Sequence, residues 1–172
     1  QVFKAYGLDG MGLPNQGTDS STGLGVRLGY MGKIGDTLTV GASYSPKVNM
    51  SRFDKYANLF AEGGDFDIPE NYAVGVAVQV TPSVLVAADV SRINYNKVAS
   101  IGNSIMDPEM GFGWKNVNVL KLGVQWQASS QWTLRAGINN GTNPVSESEA
   151  FLNVLAPGVI KTHITVGGTY AR

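Results

Sequence analysis

The stretch TGLGVRLGYMG, residues 22–32, places glycines at 23, 25 and 29 around Arg27. A phosphate-cradling G-x-G-x-x-G turn needs its glycines between a buried strand and the mouth of a helix. Here the third glycine comes one residue late and no helical pattern follows. Instead, Leu24, Val26, Leu28 and Tyr30 take every second position, and Gly23, Gly25, Arg27 and Gly29 take the alternate ones. A two-residue period is the mark of a strand with one greasy and one small or polar face. The glycines are then expected to make room on that second face, with Arg27 pointing the same way.

The same alternation recurs along the chain. Leu38, Val40, Ala42 and Tyr44 share a face, as do Tyr72, Val74, Val76, Val78 and Val80. So do Val84, Val86, Ala88 and Val90, although Leu85 and Ala87 make the opposite side of that strand mixed. Further stripes are Leu120, Leu122, Val124 and Trp126; Trp132, Leu134, Ala136 and Ile138; and Ile164, Val166, Gly168 and Tyr170. Seven strands are expected, with an eighth over QVFKAYGLDG at the start. Only Glu147 to Leu155 reads as a helix.

Between the strands, the links MGKIGD, TPS and ASSQ are tight and turn-rich. They alternate with long connections at Ser45 to Glu70, Ile93 to Asn116 and Asn140 to Thr162. In an up-and-down meander this puts every short turn at one end and every long loop at the other, the layout of an outer-membrane barrel. Aromatics fit two interfacial girdles, with Tyr30, Trp126 and Trp132 assigned to the short-turn end and Tyr44 and Tyr72 to the long-loop end.

Composition supports a membrane barrel over a soluble sandwich. The chain has 172 residues, of which 22 are glycine and only 15% are charged. The second face, which Lys, Glu and Thr would dominate if it met water in a sandwich, holds glycines with sparse charges at Arg27, Asp89, Lys121 and Arg135. Small residues and few charges suit a lumen wall. A net charge of zero gives no reason to expect nucleic acid. The chain lacks cysteine, which excludes a thiolate nucleophile and a cysteine-bound zinc. It also lacks a run of about eighteen apolar residues, as a transmembrane helix requires.

Three segments, DFDIPENYAVGVAVQVTPSVLVAADVSRINYNKV, LKLGVQWQASSQWTLRAGINNGTNPV and FLNVLAPGVIKTHITVGGTY, resemble the C-terminal half of the FadL/OmpP1/TodX family of outer-membrane transporters for long-chain fatty acids and other hydrophobic compounds. The W-T-L-R-A-G strand followed by N-P-V, and the D-F-D-I-P entry to a strand, carry the likeness most specifically. The resemblance implies an all-β, antiparallel up-and-down transmembrane barrel in a Gram-negative outer membrane. Family members are fourteen-stranded and closed inside by an N-terminal hatch. Residues 1–172 are therefore expected to form a partial barrel domain without the hatch. The expected activity is uptake by binding and passive diffusion, with no enzyme chemistry and no cofactor; the alternative is a structural or adhesive outer-membrane protein acting through its long loops. Expected partners are a hydrophobic small molecule, outer-membrane lipid and lipopolysaccharide.

Candidate residues fall into groups. Arg27, Asp89, Lys121 and Arg135 are lumen charges, which either meet a ligand carboxylate or brace the wall as an ion network. Met106, Met110, Phe112 and Trp114 give one loop adaptable and aromatic groups suited to a greasy ligand, or to ordinary loop packing. Fatty-acid carriers in the family tend to keep a basic residue just before the following strand. Here none precedes Lys115, which leans toward uncharged hydrocarbons. Phe53, Leu59 and Phe60, with Met50 and Tyr56, form either a ligand-collecting groove or a self-packed cap. Glu62, Asp65 and Asp67 do not have Ca²⁺-loop spacing and read as a solvated acidic loop, with no metal site assigned. His163, the sole histidine, has no matching nucleophile elbow and reads as a lumen or interface side chain, so no catalytic residue is assigned.

Overall fold

A computed structural model gives the architecture of residues 16–150, 152–154 and 156–172. Seven strands form one antiparallel sheet in chain order: β1 (Leu28–Ile34), β2 (Leu38–Ser45), β3 (Asn71–Thr81), β4 (Val84–Ile93), β5 (Val117–Gln127), β6 (Trp132–Gly141) and β7 (Thr162–Tyr170). The eighth strand expected over QVFKAYGLDG lies outside the described residues, as does Leu155. Strands β3 to β7 are 9 to 11 residues long, the length that crosses a bilayer when tilted.

The pairing register keeps each face coherent across the sheet. Val40 lies opposite Val76, Val76 opposite Ala88, Ala88 opposite Leu122, Leu122 opposite Ile138 and Ile138 opposite Ile164. One step along, Met31, Gly41, Gly75, Asp89, Lys121, Asn139 and His163 line up on the other face. The greasy face is open: Val74 is 58% exposed, Ile164 77% and Val166 84%. No second layer covers it among the described residues. Buried apolar side chains are instead Ala61, Val98 and Ile101 in the long loops and Val117 at their base. So large a contiguous apolar surface marks a face made for another apolar medium, and in a barrel of this layout that medium is lipid.

Connections alternate as the sequence indicates, with short links at 35–37, 82–83 and 128–131 and long loops at 46–70, 94–116 and 142–161. Three sequence expectations need correction. The first strand starts at Leu28, and Gly23 makes only an isolated bridge to Met50. A Cβ on Gly23 would lie 2.3 Å from the Met50 sulfur, and one on Gly25 2.4 Å from Val48. These two glycines admit the first long loop rather than opening the lumen. Tyr30 pairs with Ala42, near the long-loop end of β1, although its ring leans over Gly32 toward the turn. The short-turn girdle is Trp126, Trp132 and Tyr170, the last two with ring centroids 5.1 Å apart. Finally, Glu147 to Leu155 is no continuous helix: short 3₁₀ turns occupy Glu147–Glu149 and Leu152–Val154.

The two faces should respond oppositely to charge. Val76→Arg in the intact protein is expected to destabilise the bilayer-embedded barrel by about 2–4 kcal/mol, measured by denaturant unfolding in lipid vesicles, whereas Thr39→Lys on the inner face should have a far smaller effect.

Candidate functional site

The three long loops gather at one end of the sheet, and each is fastened to it or to its neighbour by polar contacts. Glu70 anchors the first loop. Its carboxylate accepts hydrogen bonds from Tyr44 (2.8 Å), Asn94 (2.7 Å) and Lys97 (2.7 Å). The bonds from Lys97, Asn94 and Tyr44, with the Lys97 charge, hold its pKa down at about 2. Nearby, Asp67 is nearly inaccessible and pairs with Lys47 at 2.6 Å while accepting the Met50 N–H at 2.7 Å. Burial works to raise the Asp67 pKa, but these partners outweigh it and leave it lowered. Asp65 goes the other way: burial, then the adjoining Asp67 and Glu62 carboxyls, push it up to about 6. The Asp65 Oδ1 atom is buried without a hydrogen-bond partner. The acidic run is thus not the solvated loop expected from sequence, because Asp67 is enclosed and ion-paired. Among the described residues no cluster of His, Cys, Asp and Glu has the makings of a metal site.

Ser100 joins the first two loops, accepting the Ala61 N–H at 3.0 Å and donating to the Asp65 carbonyl. Phe53 and Phe60 meet at 5.5 Å between ring centroids, and Phe66, which lies outside the Met50–Phe60 group, packs on Phe60 at 5.2 Å. Leu59 is half-buried in the same loop. This cluster is separate from the one around Trp114.

Trp114 sits at the seam of the second and third loops. Its ring packs edge-on against Tyr95 at 5.1 Å and lies 6.3 Å from Phe112. Its indole N–H donates to the side-chain oxygen of Asn153, whose amide donates to the carbonyls of Phe112 (2.7 Å) and Glu149 (2.8 Å). The Glu149 carboxylate reaches back to the second loop, accepting from the Ser104 hydroxyl (2.7 Å) and the Ile105 N–H (3.0 Å). Gly113 adopts φ +67°, and a Cβ there would lie 2.3 Å from the Glu149 side chain, so glycine is required for both reasons. Met106, 87% exposed, stands apart, and Met110 is half-buried.

Below this seam a hollow of about 270 Å³ opens on the inner face of β5 to β7. Tyr95, Trp114, Val117, Val119, Pro144 and Ile160 give it apolar walls, and Asn139, Thr142, Lys161 and His163 give it polar ones. A second hollow of about 310 Å³ lies over Gly41 and Gly75, with Met31 and Asp89 at its margin. Of the expected lumen charges, Asp89 and Lys121 are register partners on the inner face, and Arg135 lies further along β6, donating to Gln125 (2.7 Å) and Thr169 (2.8 Å). Arg27 precedes β1 and is exposed.

The chain has counterparts in known proteins, in sequence and in fold. Residues 11–172 match the profile of the family described as outer membrane protein transport protein (OMPP1/FadL/TodX). The chain belongs to this family. It is an outer-membrane protein of Gram-negative type, and its sheet is part of a FadL/TodX β-barrel wall. Among solved structures, the toluene transporter TodX of Pseudomonas putida is 20% identical with a TM-score of 0.57, covering 88% of this chain and 41% of its own. The toluene transporter TbuX of Ralstonia pickettii is 18% identical with a TM-score of 0.56, covering 87% of this chain and 39% of its own. A FadL homologue of Pseudomonas aeruginosa is 21% identical with a TM-score of 0.53, covering 71% and 34%. At these identities the likeness is one of fold, and the chain spans about two fifths of the TodX and TbuX structures. No curated protein matches it.

The FadL/TodX loop cap carries two opposed titrations. Asp65, with its raised pKa, contributes stability that is fully present below pH 3.8 and lost as pH rises through about 6. Glu70, with its lowered pKa, contributes stability present above pH 4.5 and lost as pH falls toward 2. Asp65→Asn should therefore slow proteolytic nicking of residues 46–70 above pH 6 and change nothing below pH 4, whereas Glu70→Gln should speed it at neutral pH and lose its effect near pH 2.

Proposed function

We propose that the intact protein is a passive outer-membrane channel for hydrophobic small molecules, long-chain fatty acids or smaller hydrocarbons among them, working by binding and diffusion without covalent chemistry. The observation that carries this reading is the hollow beneath Trp114. It lies where the long loops meet the inner wall, so a molecule entering from the loop end reaches it before the lumen. Its walls are mainly apolar and aromatic with a few polar groups, the make-up of a small-molecule site. The outer face supplies the setting: Leu, Val and Ile stripes in acyl chains, aromatic rings at both rims, and outer-membrane lipid and lipopolysaccharide as neighbours. The toluene transport attributed to TodX and TbuX is consistent with this reading, and the wall glycines Gly123, Gly137 and Gly167 leave space on the inner surface beside Lys121 and Arg135.

Binding of a hydrophobic probe to the intact protein in detergent, followed by calorimetry and by thermal protection, tests the proposal. Trp114→Ala is expected to weaken the probe at least about tenfold, and Met106→Ala to leave it unchanged. Absence of binding or thermal protection by toluene, benzoate and hexadecanoate alike refutes the channel reading.

A further inference from the structure

We infer that the hollow beneath Trp114 is built for a single-ring aromatic carboxylate, its anion held by Lys161 and His163; this rests on the channel reading above and names the ligand class of that site. The first argument is charge. Lys161 continues the β6–β7 ladder, its carbonyl accepting the Gly141 N–H at 2.7 Å. Lys161 and His163 thus project from the same inner face, two residues apart, into the hollow. Among the described residues the lining contains no carboxylate. Nor do strands β5, β6 and β7 contain a single acidic residue, while their inner face carries Lys121 in the same row as His163 and Arg135 further along. Arg135 has five N–H donors, of which Gln125 and Thr169 take two. Among the described strand residues the inner-face carboxylate near this wall is Asp89, the register partner of Lys121 on β4. The ion pairs among the described residues are Lys47 with Asp67 and Lys97 with Glu70, both in the loop cap. An apolar hollow with uncompensated basic side chains at one wall favours a ligand that brings its own anion.

The second argument is size and shape. At about 270 Å³ the space falls just below the roughly 300–1,000 Å³ of pockets for drug-sized ligands, enough for one ring and its head group. Tyr95 and Trp114 meet at 89°, so together they offer an edge and a face to a third ring. From Met106 to Trp114 the second loop has no basic residue before Lys115, which by itself points toward uncharged ligands. In the folded chain the base comes from the start of β7 instead, far away in sequence and adjacent in space.

Affinities of the intact protein for benzoate, toluene and hexadecanoate, before and after substitution at position 161, test this. Benzoate is expected to bind best, to weaken about tenfold or more in Lys161→Met, to recover in Lys161→Arg, and to weaken with added salt. Toluene is expected to be indifferent to all three changes, which also shows that the variants are folded. Equal benzoate affinity in Lys161→Met, or toluene binding as tightly as benzoate, overturns the inference and leaves the channel reading standing. So does hexadecanoate binding more tightly than benzoate with the same dependence on Lys161.

Discussion

The whole arrangement depends on pairing every backbone N–H and C=O within the sheet while the apolar side chains face hydrocarbon. In lipid no water is at hand for an unpaired peptide group, so a spanning segment must satisfy itself or its neighbour. Strands β2 to β6 do this by pairing on both sides strictly in chain order, with short links joining β1 to β2, β3 to β4 and β5 to β6 and long loops joining the other neighbours. Because side chains alternate with a period of two, a slip of one residue would send a whole stripe to the wrong medium. The register from β1 to β7 avoids this: Val, Leu and Ile dominate the rows on one side, and the rows on the other mix Gly, Ala, Ser and Thr with polar residues such as Asp89, Lys121, Asn139 and His163.

That inversion explains why so little of the molecule is buried. A soluble domain draws its stability from a packed interior, whereas here most enclosed side chains among the described residues belong to the loops, and several of these are polar: Asp67, Asn94, Ser100, Glu149 and Asn153. Each of these is matched to a partner: Asp67 to Lys47, Asn94 to Glu70, Ser100 to Ala61 and Asp65, Glu149 to Ser104, and Asn153 to Trp114. The cap is held by hydrogen bonds of defined geometry more than by bulk burial. That gives it a fixed shape at modest apolar cost.

What the sequence disclosed follows from the range of the interactions involved. Strand periodicity is local, so the stripes of β2 to β7, the sheet order and the alternation of short and long links were legible residue by residue. The D-F-D-I-P and W-T-L-R-A-G segments pointed to the right family. Contacts between distant segments were not legible. Gly23 and Gly25 fit a strand pattern perfectly well, and only the approach of Val48 and Met50 shows why they are glycines. Asp67 looked solvated until Lys47, twenty positions earlier, closed over it. Trp114 is legible as a greasy loop residue, yet Tyr95, Lys161 and His163, which share its hollow, come from the preceding turn and from the start of β7 and the residue just before it. Their shared basic and aromatic character is a signal only once β5, β6 and β7 are known to be neighbours.

The link from Asn153 to the Trp114 indole, and from Glu149 to the backbone beyond Ser104, makes the second and third loops a single mechanical part. Natural variation in such a part is constrained in pairs: an altered third loop repositions an indole it does not carry, and a transplanted second loop arrives without its brace. Divergence among relatives should therefore proceed by exchanging both segments together, and chimaeras that cut between them inherit a misshapen vestibule however faithful each half is to its parent.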